Sequence, residues 1–209
     1  MHSKKSNQVL HEQEMSESIE AIKKFIGAVA PMGEEDLELL PSILEYKKVK
    51  KNDYILKEGE ICKNVYFLTK GFLRMFFVDH SGNEVNYRFT FENDFFVDFQ
   101  SFLLQKPSHF FWQAMQDSEF LVLPKTEILK LYATSPAWNN FGRLVSEKVY
   151  LQMNERVEML LFMTPEERYN HLLSTQPELF AMVSQFHLSS YLGVKPESLS
   201  RLRKRLLKK

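Results

Sequence analysis

Cysteine is almost absent from this chain of 209 residues, where Cys62 stands alone. A single thiol cannot close an internal disulfide, nor supply the several thiolates of an iron–sulfur cluster. Net charge is absent as well, since 27 Lys and Arg balance 27 Asp and Glu. The chain as a whole is therefore neither a polycation nor an acidic tail protein. No apolar run approaches the roughly 18 to 20 residues that span a bilayer. The opening MHSKKSNQVLHEQEMSES also lacks the apolar core of a signal peptide. The expectation is a cytoplasmic protein with no membrane partner. Six histidines (His2, His11, His80, His109, His171, His187) lie scattered, whereas a metal centre of this kind needs several His and a carboxylate converging on one ion. Phosphate loop, dinucleotide fingerprint and nucleophile elbow are all missing. Neither an enzyme nor a bound cofactor or metal is expected.

What is present is ample core material, with 44% hydrophobic residues and 18 Phe. The length exceeds one average domain and falls short of two large ones, so a two-part protein is expected. Residues 1–17 are polar without a hydrophobic period, which predicts a frayed tail. From Ser18, the residues Ile19, Ile22, Phe25, Ile26 and Val29 make a one-faced helix closed by Pro31, and 34–40 suggests a second, short one. After Tyr46 the period changes. The β-prone runs 47–51, 54–57, 64–69, 72–79, 84–91 and 110–115 alternate with turn signals at Asn52-Asp53, Glu58-Gly59, Lys70-Gly71, Ser81-Gly82-Asn83 and Asn93-Asp94. Short strands with turns at this spacing predict an antiparallel β-roll over about residues 18–135. Helical pattern returns at 126–131 and in a long segment, 136–163, with Phe141, Val145, Val149, Gln152, Arg156, Leu160 and Met163 near heptad spacing. That segment reads as a dimerisation helix, with Gln152 and Arg156 as imperfections of the seam. A final unit, 164–209, opens at Thr164-Pro165-Glu166-Glu167. Thr164 suits a cap, Pro165 the first helical position and Glu167 a capping box, with Tyr169, Leu172 and Leu173 facing the core. The fold class is α+β.

The end of the chain, SQFHLSSYLGVKPESLSRLRKRLLKK from Ser184, carries seven Lys or Arg against the single acid Glu197, a local net charge of +6. Phe186, Leu188, Tyr191 and Leu192 supply the apolar groups of a first helix. Gly193 ends it, because glycine takes the left-handed conformation without a Cβ clash. Pro196 suits the first turn of the next helix. There Leu199, Leu202 and Leu206 form an inward stripe, while Glu197, Ser198, Arg201, Lys204, Arg205 and Lys208 take the opposite face. Two helices about a glycine turn, the second cationic, form a helix-turn-helix that offers its face to the major groove. A solvated C-terminal helix would share the Leu stripe and the cations, but it would not need this turn.

The run Leu192-Gly193-Val194-Lys195-Pro196-Glu197-Ser198-Leu199-Ser200-Arg201 resembles the cyclic AMP receptor / fumarate-nitrate regulator (Crp/Fnr) family of bacterial transcription factors. The resemblance implies that Arg201 donates to guanine O6 and N7, Glu197 accepts from cytosine N4 and Ser198 touches a phosphate. Lys195, Ser200, Lys204 and Arg205 complete the expected DNA-binding set. At a further base-reading position, where the family often has Arg, this chain has Pro196. The family often adds a β-hairpin wing after the recognition helix. Here the chain stops at Lys209, so the resemblance implies either weaker DNA binding or greater reliance on Lys208 and Lys209 for phosphate contacts. The lone Cys62 rules out the family's oxygen-sensing cluster.

The resemblance extends over the roll, a jelly-roll-like cyclic-nucleotide-binding domain, through Gly59, Tyr66-Phe67-Leu68, Gly71, Ser81-Gly82, Asn93-Asp94-Phe95 and Leu121-Val122-Leu123-Pro124. Cyclic AMP-binding members place Gly-Glu, then Arg with a hydroxyl residue, around the nucleotide. Aligned through Asp94 and Ala114, this chain has Val97-Asp98 and Ser108-His109. Loss of the arginine removes a charge-assisted contact that would be among the strongest in the site. The effector pocket of Val97, Asp98, Ser108 and His109 thus reads as degenerate. The surrounding aromatics, among them Phe95, Phe96 and Trp112, suggest a side-chain-filled core or else an apolar pocket. The expected function is a homodimeric regulator reading palindromic double-stranded DNA, with RNA polymerase and a small effector other than cyclic AMP as further partners. From another class, the alternative is a ligand-sensing or scaffolding roll whose C-terminal helices bind a protein.

Overall fold

The computed structural model describes the backbone of residues 2–206 and the side chains of 9–206; Lys208 and Lys209 lie outside them. Two compact units divide the chain, one comprising residues up to 75 with 89–146, the other 76–88 with 147 onward.

The first unit is built on β-structure. Helix α1 (His2–Val29) and the short turns α2 (Glu34–Leu37) and α3 (Leu40–Ile43) precede strands β1 (Glu45–Val49), β2 (Tyr54–Leu56), β3 (Asn64–Lys70), β4 (Leu73–Val78), β5 (Glu84–Thr90) and β6 (Asp94–Phe96). Helix α4 (Phe99–Leu104) interrupts, followed by β7 (Phe111–Ala114), β8 (Ser118–Pro124) and α5 (Lys125–Thr134). The strands form two four-stranded sheets, ordered β1-β8-β3-β6 and β2-β7-β4-β5. In the first sheet β3 pairs antiparallel with both β8 and β6. Non-consecutive neighbours of this kind make a roll rather than a meander.

The inner face is aromatic. Tyr66 stacks on Phe96 at 4.8 Å, and Phe96 lies 5.1 Å from Trp112 and 5.5 Å from Phe120. Alternation along β3 turns Phe67 the other way, onto Phe95 and Phe25 of α1. Trp138 and Phe141 continue that outer layer.

The expected tail is not frayed in this structure: α1 runs back to His2. Its early turns lack an apolar period, and Val9 and Leu10 are exposed. Polar partners on the sheet hold it instead. Glu14 pairs with Lys48, the His11 ring lies 5.2 Å from Tyr46, and Ser18 Oγ donates to Thr69 Oγ1 at 3.2 Å. Two further elements were not expected: β6, which starts at the Asn93-Asp94 turn signal, and α4, which lies in a stretch with no assigned element.

The second unit contains the outer part of the β4–β5 hairpin with four more helices. Helix α6 (Pro136–Phe162) enters it from the first unit and leads to α7 (Pro165–Thr175), α8 (Leu179–Met182), α9 (Gln185–Tyr191) and α10 (Pro196–Leu206). Thr164 caps α7 in a complete capping box with Glu167, and Pro165 takes the first turn. Tyr169 and Leu172 are buried, but Leu173 is exposed and does not face the core. Among the described residues no helix is long and apolar enough to cross a membrane.

Candidate nucleic-acid interface and effector site

Helix α9 begins at Ser184, whose hydroxyl accepts from His187 N at 3.3 Å. It ends in a two-bond glycine stop. Val194 N donates to Ser189 O at 3.0 Å and Gly193 N to Ser190 O at 3.1 Å, with Gly193 at φ +66°. This is the Schellman arrangement, in which only a residue without Cβ takes the left-handed turn at no cost. A Cβ there would also sit 3.2 Å from Leu160 Cδ2. Three residues later α10 opens at Pro196, and Gln185 Nε2 reaches across to donate to Pro196 O at 3.1 Å. Leu188, Leu192, Leu199 and Leu202 are buried between the pair. Phe186, expected inside, is 53% exposed, because it lies roughly half a turn from the Leu188 and Leu192 face.

The residues expected to read DNA therefore share one solvent-facing surface. Lys195, Glu197, Arg201, Lys204 and Arg205 are exposed, and Ser198 and Ser200 are half-buried. Arg203 is exposed too and was left out of the sequence-based set, although its place in the basic last turn of α10 could have signalled it. Arg205 is not free: it pairs with Glu166 in the first turn of α7. The Glu167 carboxyl is held below the usual carboxylate range by the Thr164 backbone N–H and hydroxyl.

Arg168, missed by sequence reasoning, and Arg156, expected in the α6 seam, each bind the end of a helix in the second unit. Arg156 lays its guanidinium 4.0 Å over the Tyr191 ring and donates through Nη2 to Tyr191 O. Arg168 is buried and donates to Leu160 O at 3.2 Å. Each thus donates to a carbonyl in the last turn of a helix, of α9 and of α6, where the helix dipole favours a cation. Desolvation lowers the Arg156 pKa, with the neighbouring Arg168 acting the same way against the opposing effect of Tyr191 and Tyr87.

Arg156 therefore faces its own chain. The apolar stripe that α6 leaves exposed is Tyr150, Met153, Val157 and Leu160, with Leu161 alongside. Its three-and-four spacing is that of a coiled-coil seam. It shares Leu160 with the set expected from the sequence, but Tyr150, Met153 and Val157 each lie one residue, about 100°, from Val149, Gln152 and Arg156 of that set, in which Phe141 is buried and Gln152 exposed but polar.

In the roll, Asp98 and Ser108 come together and satisfy each other. Ser108 Oγ donates to Asp98 Oδ2 at 2.6 Å, and Asp98 Oδ1 accepts from Ser101 N at 3.1 Å as the N-cap of α4. Ser108 Oγ also accepts from Phe110 N at 2.9 Å. Ser101 Oγ accepts from Cys62 N and donates to Lys106 O. Asp98 and Ser108 are both almost fully buried. Val97 is half-buried, while His109 points to solvent and does not join them. An Asp before the periodic Phe99, Phe102 and Leu103 was itself a legible helix-start signal.

A family model described as cyclic nucleotide-binding domain matches residues 46–135. No curated protein matches the chain. Among solved structures, FixK2 from Bradyrhizobium japonicum is 17% identical, with a TM-score of 0.67 over 79% of this chain and 85% of that one. The c-di-GMP responsive global regulator CLP of Xanthomonas campestris is 16% identical, with a TM-score of 0.65 over 84% and 92%. A CRP/FNR-family transcriptional regulator from Thermus thermophilus is 20% identical, with a TM-score of 0.59 over 78% and 86%. With its paired sheets, long helix and terminal helix pair, the chain has the fold of these transcriptional regulators, and its residues 46–135 match the cyclic nucleotide-binding domain.

Proposed function

We propose that this chain is a sequence-specific DNA-binding transcription regulator, not an enzyme, that acts as a homodimer and does not use cyclic AMP. The observation that carries the reading is the exposed Glu197 and Arg201 on a helix whose other face is locked to α9 by buried leucines and a Schellman turn. A rigid helix with a carboxylate and a guanidinium one turn apart presents the acceptor and the bidentate donor that read C·G pairs in the major groove. Lys195, Ser198, Ser200, Lys204 and Arg205 surround them as phosphate contacts, with Arg205 exchanging Glu166 for DNA. Dimerisation through Tyr150, Met153, Val157 and Leu160 pairs two such helices on a palindrome. In the roll, the Asp98–Ser108 bond occupies the polar groups that a nucleotide would need, and a carboxylate stands near the place of the phosphate. An anion gains no cation there and meets a like charge. The effector is thus of another kind, and RNA polymerase is the further partner of a regulator of this type.

Titration of a cognate duplex at increasing salt tests the reading. With about six phosphates neutralised by the dimer, affinity falls about a thousandfold between 50 and 200 mM salt. Arg201→Ala costs about 1–3 kcal/mol per half-site and relaxes the preference at one base pair. Salt-insensitive binding to a protein, with no duplex bound, would establish the scaffolding alternative instead.

A further inference from the structure

Helix α9 meets β5 through a serine that stands in for a neighbouring strand. Strand β5 is the outermost of its sheet, and an outer strand presents N–H and C=O groups without ladder partners. Glu84 C=O and Asn86 N–H, two residues apart, point to the same side. Ser190 Oγ serves both, donating to Glu84 O at 3.0 Å and accepting from Asn86 N at 2.8 Å. Asn86 is fully buried, and its Nδ2 lies 3.2 Å from His187 O and 3.2 Å from His187 Nδ1. The same helix is gripped at its end by Arg156 of α6, on the Tyr191 ring and carbonyl. Both grips fall on residues outside α10, and the Schellman turn and the Gln185–Pro196 bond make α9 and α10 move together.

We propose that Ser190 is a positioning residue for DNA reading: by bridging Glu84 and Asn86 on the outermost strand β5 it sets the tilt of α9, and through α9 that of the recognition helix. This rests on the DNA-binding reading above. Arg201 and Glu197 read bases only when held within a fraction of an ångström of their hydrogen-bonding geometry. The supporting contacts behind them therefore carry affinity without touching DNA.

The test uses the full-length protein and one selected duplex, comparing wild type, Ser190→Ala and Ser190→Thr. Affinity per active molecule, the salt dependence of binding and hydrogen exchange at the Asn86 amide are measured on each. The expected result for Ser190→Ala is about five- to tenfold weaker binding, the equivalent of one to two hydrogen bonds. The sequence preference and salt slope stay unchanged, Asn86 exchanges faster, and Ser190→Thr is restored in all three. A shallower salt slope or an altered preference would mean that Ser190 touches the DNA itself, overturning the positioning role. Faster Asn86 exchange at unchanged affinity would overturn it as well. A wild-type protein that binds no duplex removes the DNA-binding reading and this inference with it.

Discussion

Replacing Asp98 by alanine separates a structural carboxylate from a ligand-holding one. In this chain Asp98 caps α4 through Ser101 N and accepts the Ser108 hydroxyl at 2.6 Å while almost fully buried. Loss of an N-cap costs about 1 kcal/mol. Loss of a hydrogen bond to a carboxylate costs about 1.5–3 kcal/mol. Two effects offset part of this. Ser108 Oγ lies 3.1 Å from Phe110 O and can donate there, and removing a buried charge recovers desolvation energy. A net loss of about 2 kcal/mol remains, which lowers the melting temperature of a chain of this size by roughly 4–8 °C. Asp98→Asn, which keeps an acceptor oxygen, loses about half of that. Thermal unfolding followed by circular dichroism, with and without excess cyclic AMP, is the assay. Wild type gains nothing from the nucleotide, since stabilisation by a ligand requires binding to the folded state. The reasoning is refuted if Asp98→Ala melts with wild type, or if cyclic AMP raises the wild-type melting temperature and the substitution abolishes that rise.

Val157→Glu places a charge in the exposed stripe of α6 and is expected to shift the protein from dimer to monomer by analytical ultracentrifugation, whereas Gln152→Glu, about 140° around the helix from Val157, leaves the dimer intact. Cys62 is fully buried and desolvation pushes its thiol up to about 11, so at pH 8 a thiol reagent labels it at the rate of unfolding and not faster. Glu167 has a carboxyl lowered in the folded state. Its stabilising effect is therefore complete above the unfolded value, near 4.5, and is lost as pH falls through the lower folded value. Acid unfolding of wild type thus shows a component that Glu167→Gln lacks.

Much of the molecule was legible where the signal is local. Gly193 followed by Pro196, and Thr164-Pro165 followed by Glu167, declare a helix stop and two helix starts by their own backbone chemistry, and the structure has each in place. The glycine hairpins did the same for β3 to β5. Signals that depend on a distant partner were not legible. The stretch of α1 around His11 and Glu14 has no apolar period because its partners, Tyr46 and Lys48, sit on β1. Heptad spacing on α6 is satisfied by two faces, and only the burial of Phe141 and the stacking of Arg156 on Tyr191 show that these two residues of the expected set face their own chain. Asp98 and Ser108 were recognisable as lacking the arginine of a nucleotide site. That they close on each other, with Ser101 and Phe110 as further partners, depends on how α4 folds back, and no spacing rule contains that.

Selection of duplexes from a random library by the purified protein, without and with cyclic AMP, decides whether α10 reads DNA independently of the nucleotide. One palindromic motif, retained equally in both conditions and lost in Arg201→Ala, is the predicted result. A motif that appears only with cyclic AMP would contradict the account of the Asp98–Ser108 site, and no motif under either condition would contradict the DNA-reading role of α10.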